Sequence, residues 1–368
     1  MIIDAILFFS IFSLFILIVY HIIFFFRLSL FKDDERNDFD KCVSIVICAK
    51  NESSNLKKFL PIVLSQDYSC FEVIVVNDQS EDETELVLKE FEENYNNLVV
   101  VTIDKHINHR PGKKFALTLG IKSAKYDYLL LTDADCKPHS NKWIEQMTSQ
   151  FNKSDIILGY GSYNKKSSLL NKIIRYDTFN VAQQYLSYSL LGLTYMGVGR
   201  NIAYKKSLFF KNKGFANHIH ISSGDDDLFI QEVATNNNVS IKITHDSHTD
   251  SKVINIWKDW FYQKRRHITT SALYKIKFKI LLSLYPIMQV LFWISIIVLF
   301  CFNSFVFYAY ILLLIKLLVS YIANYKSMKK LNVFDLYWIH PLYEFIYLII
   351  QVNFVLLNII KKPNKWRR

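Results

Sequence analysis

Asp133 and Asp135 carry the clearest chemical signal in the chain. They close the apolar run Tyr128-Leu129-Leu130-Leu131, with Thr132 and Ala134 interposed. A short apolar run bounded by polar residues predicts a buried strand. Strand side chains alternate between faces, so residues two apart share one. Carboxylates held that close repel unless one is protonated or a cation lies between them. Mg2+ and Mn2+ are hard ions that take carboxylate and phosphate oxygens. The pair fits a clamp for a metal-bound phosphate at the C-terminal end of a strand. A turn with two solvated aspartates is the competing reading, because short motifs recur by accident.

The elements that must hold such a pair are visible around it. Val43-Ser44-Ile45-Val46-Ile47-Cys48 is a largely β-branched run and predicts a first buried strand. Phe71 to Val76 predicts a second, Leu98 to Ile103 a third and Tyr128 to Leu131 a fourth. Helices are predicted between them. Leu56, Phe59, Leu60 and Val63 recur at helical spacing within Asn55 to Leu64. Glu81 to Tyr95 is acidic near its start, which suits the helix dipole, and Lys113 to Ala124 is the third helix. Strands alternating with helices predict a mostly parallel sheet covered on both faces. Ligands of such sheets bind at the carboxyl ends of the strands, where Glu52, Asp78 and Asp133 fall. Neither GxGxxG nor GxxxxGK[ST] follows any of these strands, which weighs against a dinucleotide oxidoreductase or a P-loop NTPase.

The 368 residues are 51% hydrophobic, with a mean hydropathy of +0.13. That excess is concentrated at the two ends. Ala5 to Phe26 is long enough to span a bilayer. Arg27 follows it in place of a small-residue cleavage site, so a retained anchor is expected rather than a signal peptide. Arg27, Lys32 and Arg36 come after the span and only Asp4 before it, which predicts that the next domain faces the cytoplasm. Ile280 to about Tyr325 predicts two spans broken near Asn303-Ser304, with lysines at 275, 277 and 279 and at 326, 329 and 330 on the same side. Leu336 to Ile360 contains His340, Pro341, Glu344, Gln351 and Asn353, and reads either as a span or as an interfacial segment.

The net charge of +11 gathers around these segments and in the tail 361–368, where it suits anionic headgroups. No nucleic-acid recognition motif accompanies it. Five cysteines, an odd number with no CxxC pair, predict neither a zinc site nor a disulfide framework and fit a reducing cytosolic face.

Val43 to Met147 resembles the nucleotide-sugar domain of family 2 glycosyltransferases, which have the GT-A fold. Four stretches carry the resemblance: Ser44 to Glu52, Val75 to Asp82, Gly112 to Gly120, and Thr132-Asp133-Ala134-Asp135. Their order and spacing are more specific than any one of them. Further on, Met196-Gly197-Val198-Gly199-Arg200-Asn201 resembles a segment lining the donor and acceptor sites. Gln263-x-x-Arg266-His267 resembles the QxxRW motif of membrane-bound polysaccharide and glycolipid synthases. The chain departs from the family pattern at Cys48, often proline, at Gly224, often glutamate, and at His267, usually tryptophan.

The resemblance implies an α/β GT-A domain, a mostly parallel mixed sheet with helices on both faces, flanked by N- and C-terminal transmembrane helices. The expected divisions are an anchor over 1–27, a nucleotide-sugar half over 40–150 and an acceptor half over 151–272. Transmembrane or interfacial helices over 279–360 and a basic tail over 361–368 complete them.

It also implies site roles. Asp78 would accept the imide N–H of uracil, with Glu52 supporting the same pocket. Lys113, at a helix start after Pro111-Gly112, suits a diphosphate; a solvated lysine is the alternative. Asp133 is expected near the ribose or the metal, and Asp135 as the direct ligand of Mg2+ or Mn2+. Arg200 and Asn201 would line the donor site. Asp225 is expected as the general base, with Asp226 the choice if the register slips by one. Helix capping alone also explains two of the three aspartates 225–227. Gln263, Arg266 and His267 would meet the diphosphate and the acceptor, while Lys264 and Arg265 suit anionic lipid. Trp257, Trp260 and Phe261 suit the membrane surface, and His245 and His248 read as ordinary loop histidines.

The expected function is inverting transfer of a sugar, from a donor expected to be UDP-linked, to a lipid-linked or glycan hydroxyl at the cytoplasmic face of the inner membrane. A processive polysaccharide synthase, a metal-dependent nucleotidyl- or phosphate-transferring enzyme, and a non-enzymatic membrane scaffold are the rivals. No nucleic-acid partner is expected.

Overall fold

The computed structural model of the chain describes residues 2–33, 39–103, 112–221 and 223–360. Arg36, Pro111 and the tail 361–368 lie outside the described residues.

The chain opens with α1 (Ile2–Tyr20), a π-helical turn His21–Phe25 and α2 (Phe26–Leu30). Next come β1 (Val43–Ala49), α3 (Ser53–Leu64), β2 (Phe71–Asn77), α4 (Thr84–Asn94), β3 (Leu98–Thr102), α5 (Lys113–Ser123) and β4 (Tyr128–Asp133). Then follow β5 (Cys136–Pro138), α6 (Trp143–Thr148), β6 (Ile156–Leu158), β7 (Gly161–Tyr163), α7 (Leu169–Ser189) and β8 (Ile202–Lys205). After α8 (Lys206–Lys211) come α9 (Asp227–Val233), β9 (Val239–Ile241), β10 (Thr249–Ser251) and α10 (Trp257–Ser271). The chain continues through α11 (Ile276–Phe300), α12 (Val306–Lys330) and α13 (His340–Ile360).

Seven strands form one sheet in the order β3-β2-β1-β4-β8-β6-β9. β3, β2, β1 and β4 run parallel, whereas β8 is antiparallel to both β4 and β6. Alternation along β1 explains the two-sided core. Val43, Ile45 and Ile47 pack with Leu56, Leu60 and Val63 of α3 on one face. Val46 packs with Ala116, Leu117 and Ile121 of α5 on the other. Gly120 permits the close approach of α5: a Cβ there would lie 2.6 Å from Val46 and 2.9 Å from Val76. β5, β10 and β7 make a second, smaller sheet beneath the end of β4.

The four strands expected between residues 43 and 131 are all present, and β4 runs on to include Asp133. α4 starts at Thr84 rather than Glu81, so most of the expected acidic cluster precedes the helix.

Four helices are long and apolar enough to cross a membrane: Ile3–Leu30, Ile276–Phe300, Asn303–Lys330 and His340–Ile360. The turn between α11 and α12 falls at Asn303–Phe305, where the apolar pattern breaks. α13 packs against α7, α10 and α11. Its buried Glu344 pairs with Lys316 of α12 and accepts from Gln289 of α11. α13 is therefore an integral part of the helical bundle.

Three expectations need correction. Cys42 and Cys70 form a disulfide, although the cysteine spacing suggested no pairing. They are brought together because each immediately precedes one of two adjacent parallel strands, with Val43 opposite Phe71. Lys264 and Arg265 do not extend toward lipid: Lys264 pairs with buried Asp177 at 2.6 Å, and Arg265 donates to Asn358 and to the Leu357 carbonyl. Trp260 is fully buried and stacks edge-on with Phe354 of α13, while Trp257 stays exposed.

Candidate active site

The site is assembled where β1, β2 and β4 end. Asp133 is the last residue of β4, and Asp135 follows across a short turn closed by buried Ala134. Ligand atoms of Asp133, Asp135 and Cys136 all lie within 4.8 Å of one another. Two half-buried carboxylates at that separation fit one hard divalent cation. Cys136 suits the same ion poorly. Burial, then the charges of Asp135 and Asp133, raise its thiol well above the ordinary value, and Ser251 lies 3.1 Å from its sulfur. Sulfur ligands suit softer ions and oxygen ligands hard ones, so the carboxylates are the fitting pair.

Lys113, at the start of α5, reaches Asp133 at 2.8 Å and Asp225 at 3.1 Å. Burial opposes its charge, but Asp133, Asp225 and Asp226 outweigh burial and hold its pKa well above the usual lysine value. One ammonium thus joins the end of β4 to the start of α9. These residues line one cleft together with Cys48, Thr132, Gly199 and Asp226.

The three aspartates before and at the start of α9 have separate tasks. Asp227 accepts from Thr270 at 2.6 Å and Tyr274 at 2.7 Å, which fastens α9 to α10 and its C-terminal end. Asp226 caps α9, accepting from the Asp227 amide at 2.9 Å and the Gly199 amide at 2.8 Å. Burial, and then the neighbouring charges of Asp225 and Asp227, push its pKa up to about 7. Asp225 makes its ion pair inside the cleft, with its side chain 10% exposed.

Other expected residues stand at different distances from this centre. Asp78 is buried immediately after β2, its amide donating to the Ala49 carbonyl. Glu52 is buried at the start of α3, where it accepts from Asn55. Arg200 lies with its guanidinium 4.9 Å from the centre of the Tyr163 ring and donates to Ser251. Asn201 is not brought to the cleft. It is fully buried, accepting from the Trp143 indole and donating to the carbonyls of Tyr160 and Ser247, so its amide is occupied in joining β8 to its surroundings.

Gln263, Arg266 or His267, and Thr270 are spaced to share one face of α10. Since Thr270 is fastened to Asp227, that face is turned toward α9. His267 is exposed to solvent. His248 is buried and bonded to the Ile243 carbonyl, as an ordinary packed histidine.

Sequence reasoning missed the anchor role of Asp227, the Tyr163 platform under Arg200, and Lys114, which is buried beside Lys113. Only Lys114 had a local signal, its place beside Lys113 at a helix start.

Residues 44–211 match Glycosyl transferase family 2. Over those residues, from β1 to α8, the chain is similar to that family. The chain is 30% identical over 216 residues to Glycosyltransferase AglE of Haloferax volcanii, covering 55% of this chain and 64% of the relative. It is 33% identical over 134 residues to the Poly-beta-1,6-N-acetyl-D-glucosamine synthase of Staphylococcus epidermidis, covering 36% of this chain and 31% of the relative. The chain thus spans less than two thirds of either. A mannosyltransferase of Pyrobaculum calidifontis, solved in complex with GDP-Man and Mn2+, superposes with a TM-score of 0.58 over 91% of this chain and 99% of its own, at 16% identity. At that identity the likeness is one of fold.

Proposed function

We propose that the protein is a membrane-anchored glycosyltransferase that moves a sugar from a nucleotide donor to a hydroxyl group with inversion. The observation that carries this reading is the meeting of Lys113, Asp133 and Asp225 in one cleft at the sheet's C-terminal edge. Asp78 follows β2 directly and Glu52 caps α3 just beyond β1, where the base and ribose of a donor would lie. Lys113 would meet the diphosphate and offset its charge. Asp225 is the base of choice among the three aspartates, because Asp226 and Asp227 are committed to backbone amides and to α10. It would take the acceptor's proton as the hydroxyl oxygen attacks the anomeric carbon and the nucleoside diphosphate departs. One displacement inverts that carbon. Asp133 and Asp135 would hold a divalent cation, which would supply Lewis-acid stabilisation of the leaving diphosphate.

The α10 face carrying Gln263, Arg266 and His267 would border the acceptor side, close to the helices that can cross a membrane. That placement favours a lipid-linked or glycan acceptor. Similarity to the Staphylococcus synthase supports a second reading, processive polymerisation. The division into an anchor over 1–27, halves over 40–150 and 151–272, and helices over 279–360 is part of the proposal.

The basic flanks at Lys275, Lys277, Lys279 and Lys326, Lys329, Lys330 favour a cytoplasmic domain. The Cys42–Cys70 disulfide weighs against it, because disulfides are rare in reducing compartments. Alkylation of Cys42 in intact cells decides between them: a free thiol there supports the cytoplasmic orientation and a protected one opposes it.

Purified protein with Mn2+ or Mg2+ and a panel of UDP- and GDP-sugars tests the activity. Metal-dependent release of nucleoside diphosphate from one sugar supports transfer and names the donor. Release of pyrophosphate or nucleoside monophosphate would point to nucleotidyl or phosphate transfer instead.

A further inference from the structure

Lys114 lies one residue beyond Lys113 but does a different job. Consecutive helical residues point about 100° apart, so the two ammonium groups leave α5 in different directions. Lys113 enters the cleft. Lys114 is 4% exposed and donates three hydrogen bonds to one segment: to His218 Nδ1 at 2.7 Å, to the His218 carbonyl at 2.6 Å and to the Ile221 carbonyl at 3.2 Å. The opposite ring nitrogen of His218 lies 3.7 Å from Glu232 of α9. Glu232 in turn accepts from Asn212 and Asn217. The lysine therefore holds a segment whose other contacts run to α9, and α9 begins two residues after Asp225.

We propose that Lys114 is a positioning residue: it staples residues 216–221 to α5 and thereby holds Asp225 at the distance from Lys113 and Asp133 that transfer requires. This rests on the reading of Asp225 as the base. The chemistry of the contact favours a cation. Two carbonyls and a ring nitrogen converge on one buried point, a set that only a multiple donor satisfies. Burial lowers the Lys114 pKa to about 8, while Asp225, Asp227, Asp226 and Glu232 act to hold its charge. Gly224, at φ +94°, supplies the turn between the stapled segment and Asp225. A Cβ there would come within 2.6 Å of Leu228, so the turn packs closely against α9. The two neighbouring lysines thus tie α5 to the same stretch of chain at two points, one through a carboxylate and one through the backbone.

The test compares wild type with Lys114→Met and Lys114→Ala in the full-length protein in detergent. Hydrogen exchange is read first, because it does not depend on activity. Amides over 215–227 are expected to exchange at least tenfold faster in Lys114→Met, a shift well inside the range of local opening. Unchanged exchange there overturns the staple even if no donor sugar is ever found. With the donor identified by the sugar panel, Mn2+-dependent UDP or GDP affinity is expected to stay within about threefold, while kcat falls about 10²-fold. Equal losses in nucleotide affinity and kcat would place Lys114 in the donor pocket and overturn the proposal. Methylammonium is expected to recover part of the Lys114→Ala loss in kcat, whereas recovery by isobutane-sized neutral alcohols alone would make the role one of packing and overturn it.

Discussion

Identical side chains in this protein do different work because of what each touches. Asp225, Asp226 and Asp227 are adjacent, yet one pairs with Lys113, one caps a helix and one anchors α10. The raised pKa of Asp226 gives a prediction with a defined sign. Its folded value, about 7, lies above its ordinary 3.8, so the folded state binds the extra proton between those values. Stability from this group is complete below pH 3.8 and is lost as pH rises through about 7. Asp226→Asn is expected to flatten the fall in Tm across that window, read by thermal melts at several pH values; an unchanged slope would count against it. Asp135→Asn is expected to lower Mn2+ affinity and turnover together by about 10²-fold or more. Wild-type activity in that variant at low Mn2+ would remove Asp135 from the metal site. The carboxylate pair was legible in the sequence because its spacing is local. The Lys113–Asp225 contact was not, since only the pairing of β4 with β8 and the packing of α5 bring those residues together.

Elements explain why the cleft keeps its shape. The parallel strands were legible from their β-branched runs, and a sheet covered on both faces was legible from their alternation with helices. α7 was not, although it is long and mostly buried. Its polar residues Arg175, Asp177 and Gln183 mask the apolar period, and each finds a partner on the C-terminal helices or the turn between them. The second half of the site depends on α10 being held against α9. Thr270→Val removes one of the two side-chain bonds to Asp227 that do this. It is expected to lower stability by about 1.5–3 kcal/mol, the range for a hydrogen bond to a charged group, and to reduce transfer more than nucleotide binding. Denaturation curves and a nucleotide titration separate the two effects. An unperturbed protein would mean that Tyr274 alone fixes α10.

At the scale of the whole molecule, the sheet-bearing domain and the apolar helices are joined through α7, where Gln183 donates to Asn324 of α12 and Asp177 accepts from Tyr347 of α13. Tyr20 of α1 donates to the Leu281 carbonyl of α11, and Lys330 of α12 donates to the Leu28 and Ser29 carbonyls of α2. The deepest tie is the buried Lys316–Glu344 pair between α12 and α13. Removing one partner leaves a buried charge alone, so Glu344→Ala is expected to cost about 3–5 kcal/mol, whereas pairing Lys316→Met with Glu344→Leu is expected to recover most of it. Melting temperatures in detergent check both. The apolar spans were legible from composition, but the sequence left α13 between spanning and interfacial because His340, Glu344 and Gln351 interrupt it. Three-dimensional pairing resolves that interruption for His340 and Glu344, which meet Ser320, Lys316 and Gln289 inside the bundle.

The central claim is that the cluster of Lys113, Asp133 and Asp225 is the transfer centre, with Asp225 as the base. Its most direct test is nucleotide affinity and turnover of Asp225→Asn beside the wild type, with the donor found by the panel and Mn2+ present. The account predicts nucleotide affinity within about threefold and a loss of turnover of about 10²–10⁴-fold, the usual worth of a general base. Turnover near the wild-type rate, or its loss in Asp226→Asn while Asp225→Asn stays active, would contradict it.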